Sequence, residues 1–137
     1  MGEPLSPEAQ AFLREKVYAH VATLMKDGSP QVTPVWVDTD GEYILINSSG
    51  PRQKVRNMQR DARVALSIAP PEDPHRTLVV RGRVKDITPD KDQAHINSLS
   101  LKYRGNPVYS VRDGETRMVI RIEPTRVIER LKRGTGR

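Results

Sequence analysis

The stretch HVATLMKDGSPQVTPVWVDTDGEYILINS constrains the fold more than any other part of the chain. Three β-type runs are separated by KDGS and DTDG. Asp-Gly between extended runs is a strong hairpin signal. The spacing predicts an antiparallel meander over 19–26, 31–38 and 42–48. Pro34 falls inside the second run. Proline cannot donate to a ladder, so this strand is expected to be bulged or at an edge there. A bulge would re-aim the neighbouring N–H and C=O groups.

Helices and further strands fit around the meander. Ser6, Pro7 and Glu8 read as N-cap, first-turn proline and first-turn acid, and Ala9, Phe12, Leu13 and Val17 recur at helical spacing. A short amphipathic helix over 7–17 follows. PRQKVRNMQRD, 51–61, is helical, with Val55 and Met58 as the inward pair. ARVALSIA is a fourth strand, PPEDPHR a stiff loop, and TLVVRGRVKDI a long fifth strand that Gly82 should bend or bulge. Thr88 caps a helix running to about Tyr103, and Asp90 and Asp92 read as first-turn acids. RGNPVYSVRDGE is a loop. TRMVIRIEP alternates as a half-buried strand, TRVIERLK is one more short strand, and 131–137 is a frayed basic tail. The expected fold is mainly β (α+β): an antiparallel barrel of six or seven strands with two or three peripheral helices. Sequential hairpins and a glycine bend help such a sheet close.

One domain of 137 residues accounts for the whole chain. Hydrophobic residues make up 36% and aromatics 4%, a modest supply for a core, so association into an oligomer is expected to bury more. No cysteine is present, which excludes disulfides, thiolate catalysis and cysteine-bound zinc. His20, His75 and His95 have no metal-ligand spacing, and no metal is expected. The opening residues carry no apolar core of signal-peptide length, and no run approaches the ~20 residues of a membrane span. A cytoplasmic protein away from membranes is the expectation. The net charge of +6 favours anionic partners.

NSSGPRQKVRN, 47–57, is where that charge becomes local. A strand ends in a small polar turn, and a helix begins among Arg52, Lys54 and Arg56. A helix N-terminus carries unpaired N–H groups and a partial positive charge, so strand, turn and helix form a seat for phosphate. Ser48, Ser49 and Gly50 offer hydroxyls and close backbone approach. Arg52 and Lys54 fold over the turn, and Asn57 lies about one turn on. Arg56 and Arg60 read as a solvated stripe. Strand alternation sets Pro34 and Trp36 on one face, with Thr33, Val35 and Val37 on the other. A flat heteroaromatic ring could lie against this strand. From spacing alone, the simpler reading of Trp36 is packing in the core or a subunit interface.

Together, TPVWV, the Gly-Pro-Arg-Gln-Lys turn and the Arg-Asn helix resemble the pyridoxamine 5'-phosphate oxidase-like split β-barrel superfamily. The closer resemblance is to its flavin/deazaflavin oxidoreductase group B branch. VVRGRVKDI and IRIEPTRVIE fit the later barrel strands, so the resemblance covers about 5–130. It implies a homodimer with cofactor sites at the interface. It places the ring near Thr33, Pro34, Val35, Trp36 and Val37. The phosphate falls to Ser48, Ser49, Arg52, Lys54 and Asn57, with Asn47 and Gln53 as further cofactor-binding residues. Coenzyme F420, with its phosphodiester and oligoglutamate tail, suits the basic turn; FMN is the alternative. The position near Thr33 lacks the flavin-phosphate arginine of pyridoxamine-phosphate oxidases. VIERLKRGTGR also lacks their tryptophan, which argues against pyridoxamine phosphate as substrate.

The implied activity is hydride transfer from the reduced deazaflavin to a conjugated small molecule, with the cofactor carrying the chemistry. No nucleophile or triad is expected. Tyr103, Tyr109 and Arg112 are candidate proton donors only because the 104–114 loop could approach the site. Rival readings are an FMN-dependent oxidase or reductase, a non-catalytic cofactor carrier, and a nucleic-acid-binding protein. The last has no recognised motif and few aromatics for stacking.

Overall fold

The computed structural model describes residues 2–132. Its strands are β1 (Tyr18–Leu24), β2 (Pro30–Thr39), β3 (Ile44–Ser49), β4 (Arg63–Ala69), β5 (Thr77–Pro89) and β6 (Arg117–Arg130). All neighbours are antiparallel, and they close into a barrel in the order β1–β2–β3–β6–β5–β4. The helices are α1 (Pro7–Arg14), α2 (Gln53–Arg60) and α3 (Ala94–Arg104), with one 3-10 turn over Lys91–Gln93. Among the described residues, no helix is long and apolar enough to cross a membrane.

Side-chain alternation fills the barrel. Val21, Val37, Ile46, Leu66, Val80 and Ile120 point inward from successive strands and are buried. α1 adds Ala9, Phe12 and Leu13 to the same core, and α2 adds Val55 and Met58. Ser6 caps α1 by accepting the Ala9 N–H at 3.0 Å, with Pro7 in the first turn. The helix stops at Arg14, short of the expected 17, and the buried Val17 already belongs to the run into β1.

A second, smaller apolar cluster lies outside the barrel wall. Ile96, Leu99 and Tyr103 of α3 pack on Tyr18, Trp36 and Tyr109. Tyr18 and Trp36 flank the inward-facing Ala19, Val35 and Val37 in sequence, so they stand on the outer face of β1 and β2.

Several expected boundaries move, each for a local reason. The residues 125–132 are not a separate seventh strand, because β6 continues unbroken to Arg130. The register with β5 slips at two points, between Arg81 and Gly82 and between Val84 and Asp86; at the first, Gly82 faces Pro124, Arg81 faces Arg126, and Thr125 is the extra residue. This bulge lets a proline sit within a long strand. It also gives Gly82 its reason, since a Cβ there would meet the Glu123 carbonyl oxygen at 2.7 Å. Pro34 resolves as an edge, without a bulge. It faces His20 in an unslipped register with β1, while β3 pairs with β2 only over Val37–Thr39.

Thr88 does not cap a helix. It is a strand residue facing Val119, because β5 runs on to Pro89. Asp92 and Gln93 then take left-handed backbone conformations, with φ of 56° and 58°, and delay α3 to Ala94. Asp90 acts in place of a cap, accepting the backbone N–H of His95 at 3.0 Å and of Ile96 at 2.8 Å. α2 also starts late. Arg52 is its N-cap, so Pro51 belongs to the preceding turn. The end of the basic tail, 133–137, lies outside the described residues.

Gly82→Ala should destabilise the protein by about 1–3 kcal/mol, as overpacking against backbone does. Urea unfolding checks this: the midpoint should fall with the slope unchanged.

Candidate functional site

A cavity of about 340 Å³ opens where the free edge of β2 meets α3 and the β3–α2 turn. One wall is Pro34, Val35 and Trp36, with Tyr18 beside them; the opposite wall is polar, with Asn47, Ser48, Arg52, Lys54 and Arg117. Ile96, Leu99, Arg104 and Tyr109 complete it. The short β2–β3 ladder exposes the first wall, because β2 upstream of Val37 has no β3 partner.

Seven of the expected cofactor residues therefore share one cavity: Pro34, Val35, Trp36, Asn47, Ser48, Arg52 and Lys54. The others do not line it. Thr33 stands behind the wall and accepts a hydrogen bond from Lys54 Nζ at 3.1 Å. Val37 points into the barrel, and its N–H donates to the Tyr103 hydroxyl at 3.0 Å. Ser49 is buried at the end of β3. Gln53 Nε2 donates to Asn57 Oδ1 at 2.8 Å, and Asn57 Nδ2 donates to Thr23 Oγ1 at 3.0 Å. Asn57 is thus a fully buried pin between α2 and β1, since it shares the inward face of α2 with Val55 and Met58.

Lys54 is the unusual charge. Its side chain is only 6% exposed, and no carboxylate pairs with it among the described residues. Burial, reinforced by Arg52 and then Arg117, pushes its ammonium down to about 8. A buried cation facing other cations is costly unless an anion arrives.

Arg117 reaches the same wall through sheet closure, because β6 places it opposite Ser49. Its Nη1 lies 2.9 Å from Glu115 Oε2, and its Nε donates to Asn47 Oδ1 at 2.9 Å. Asn47 Nδ2 approaches Asp90 Oδ2 and His95 Nδ1, both at 3.0 Å. The amide orientation follows from chemistry: Arg117 can only donate and the Asp90 carboxylate only accept. His95 Nδ1 must then accept, which leaves the ring neutral with its proton on Nε2. Nε2 is buried without a partner among the described residues. Burial outweighs the nearby Asp90 and Asp38 carboxylates and holds this imidazole below its ordinary pKa, in agreement with a neutral ring.

Among the loop candidates, Tyr103 is spoken for. Its hydroxyl donates to the Val17 carbonyl, and burial pushes its pKa up. Its ring stacks on Trp36 at 5.1 Å and 7°. Tyr109 meets Trp36 edge-on at 6.1 Å and lines the cavity, whereas Arg112 is exposed. Sequence reasoning gave Tyr18, Ile96, Leu99, Arg104 and Arg117 no role at the site. Arg117 read as the solvent face of an alternating strand, and nothing local reveals that its neighbour is β3. His20 and His75 are exposed, and no cluster of metal-ligating side chains is present among the described residues.

Solved structures share this architecture. An F420 reductase is 36% identical and superposes with a TM-score of 0.78, over 87% of this chain and 94% of that one. A Mycobacterium tuberculosis protein is 20% identical, with a TM-score of 0.71, over 98% of this chain and 95% of that one. A NimC/NimA family protein from Clostridium acetobutylicum is 23% identical, with a TM-score of 0.56, over 82% and 78%. The last two likenesses are of fold. Among curated proteins, none matches the chain. Residues 5–130 match the family Pyridoxamine 5'-phosphate oxidase. The chain belongs to the pyridoxamine 5'-phosphate oxidase-like family of split β-barrels, on the side of it that the F420 reductase represents.

Proposed function

We propose that this protein is an oxidoreductase that binds coenzyme F420 in the cavity between β2, α3 and the β3–α2 turn. The family is one of flavin-type oxidoreductases, and the 36% identical relative is an F420 reductase. The observation that carries the reading is Lys54: a buried cation beside Arg52 and Arg117, with Thr33 as its one hydrogen-bond partner among the described residues. Such a donor set fits a phosphate and fits no neutral ligand as well.

When bound, the deazaflavin supplies hydride; the chain's residues supply position and charge. Lys54 and Arg52 hold the phosphodiester. Asn47 keeps Arg117 turned to the same wall, and Ser48 adds a hydroxyl. The β2 backbone at Pro34–Trp36 pairs with β1 on one side and has no β3 partner on the other, so its open edge flanks the ring and keeps water from that side. Tyr103 holds Trp36 in place and takes no part in proton transfer. A homodimer with the cofactor at the interface completes the proposal. In its support, the cavity adjoins an apolar surface of Ala69, Pro70, Pro71 and Pro74, and Val32 is 61% exposed.

Fluorescence titration of the purified protein with F420 and, separately, FMN tests the reading. F420 should bind at micromolar concentration or tighter, and FMN more weakly. A preference for FMN would make this a flavin enzyme, and binding of neither would sink the proposal. Lys54→Ala should weaken F420 binding by about 1.5–3 kcal/mol, the range for a charge-assisted contact. Arg60→Ala should leave it nearly unchanged, because Arg60 is exposed and outside the cavity.

The pH dependence has a defined sign. A bound anion stabilises the Lys54 ammonium, so its pKa is higher in the complex than the value of about 8 in the free protein. Affinity should be level below that value and fall as pH rises through it, and Lys54→Ala should abolish this limb. Sedimentation equilibrium should give twice the 15.5 kDa chain mass. A monomer at titration concentrations would overturn the interface.

A further inference from the structure

The cavity's cations differ in what engages them, although Arg117 shares the Tyr109 ring with Arg104, its guanidinium carbon 5.2 Å from the centroid. Arg52 and Lys54 sit together at the β3–α2 turn, and the charges that depress the Lys54 ammonium are Arg52 and Arg117. Arg104 is not among them. It is the last residue of α3, across the cavity mouth at the aromatic wall. Its guanidinium carbon lies 4.9 Å from the centroid of the Trp36 ring and 5.9 Å from that of Tyr109.

Arg104 also differs from Arg117 in how it is engaged. Arg117 spends donors on Glu115 and Asn47. Arg104 enters no ion pair and no side-chain hydrogen bond among the described residues, and it is exposed at the cavity. Its position is nevertheless defined. Gly105 takes a left-handed conformation, φ 71°, and turns the chain sharply away. The loop is then tied back to α3, where the Tyr109 N–H donates to Asn97 Oδ1 at 2.9 Å. The guanidinium lies over the faces of both rings. Seated on ring faces, it keeps its edge N–H groups free, and that planar fork matches a carboxylate.

We propose that Arg104, held by Trp36 and Tyr109, is the recognition point for a carboxylate on the substrate, so that the substrates are planar conjugated carboxylic acids. The inference rests on the reading that Arg52 and Lys54 take the cofactor's phosphate. Ile96, Leu99 and Tyr109 line the cavity beside Arg104 and suit the flat part of such a molecule, which leaves the Pro34–Trp36 wall to the cofactor ring. The carboxylate end and the cofactor phosphate then occupy different cations and do not compete.

Trp36 is the only tryptophan, so intrinsic fluorescence reports on this point directly. The probes are trans-cinnamate and its neutral isostere cinnamamide. Cinnamate should bind about tenfold more tightly, a difference expected for one charge-assisted contact. Arg104→Gln should erase the preference, and Lys54→Ala should keep it. In a parallel titration, Arg104→Gln should bind F420 within about twofold of the parent. Equal affinity for the two probes, failure of both to bind, or a preference that survives Arg104→Gln would overturn the proposal. So would a loss of F420 affinity in Arg104→Gln as large as in Lys54→Ala, since Arg104 would then serve the cofactor's own anion. If the parent binds neither F420 nor FMN while cinnamate preference depends on Arg104, the cofactor assignment fails and the carboxylate point stands.

Discussion

The pairing of β3 with β6 is the contact on which the site depends. It closes the sheet, removing the two edges that an open meander would expose. It also brings Arg117 opposite Ser49 and Val119 opposite Asn47. The Asn47 amide can then bridge Arg117 to Asp90 and His95, linking the end of β3 to β6 and to the entrance of α3. A shift of one residue in that register would turn Arg117 to the other face of the sheet and leave the amide without its donor. The cavity wall is therefore a product of ladder geometry as much as of side-chain chemistry.

Charge at this wall runs against folding. Buried cations are usually paired, and among the described residues Lys54 has only the Thr33 hydroxyl. Its depressed pKa expresses that conflict. By contrast Lys102, also pushed down by burial to about 8, donates to the carbonyls of Leu13 and Val37, each at 2.6 Å. Lys102 stitches α3 to the barrel. The comparison separates a structural lysine, whose donors are satisfied inside the chain, from one that donates to a single hydroxyl among the described residues.

The two apolar clusters divide the labour. The barrel interior provides cohesion, with α1 and α2 adding to it. The outer cluster under α3 fixes Trp36 and Tyr109 at the mouth of the cavity without drawing on the interior. Strand alternation makes this possible: Val35 and Val37 point in while Trp36 points out. One strand thus serves both the core and the site, and its unpaired edge upstream of Val37 leaves backbone groups free for a ligand.

The sequence by itself determined the antiparallel meander, the glycine irregularity in the fifth strand and the basic turn after the third. Each is written in residues close together: Asp-Gly turns, alternation, a proline, and cations around a helix start. The resemblance to the split-barrel family was legible for the same reason, in short contiguous motifs. Asn57 was misread because a helix face is settled by what lies beneath it, and here the barrel claims it. Asp90 takes the capping role expected of Thr88 because β5 runs on through Thr88 and two left-handed residues, Asp92 and Gln93, reset the start of α3. Only the tertiary structure decided that Arg117, Arg104 and Tyr109 would meet Lys54 around one cavity. Those residues lie fifty or more positions from Lys54, and only barrel closure and the docking of α3 bring them together. Local pattern specifies elements; long-range register and packing specify which side chains share a space.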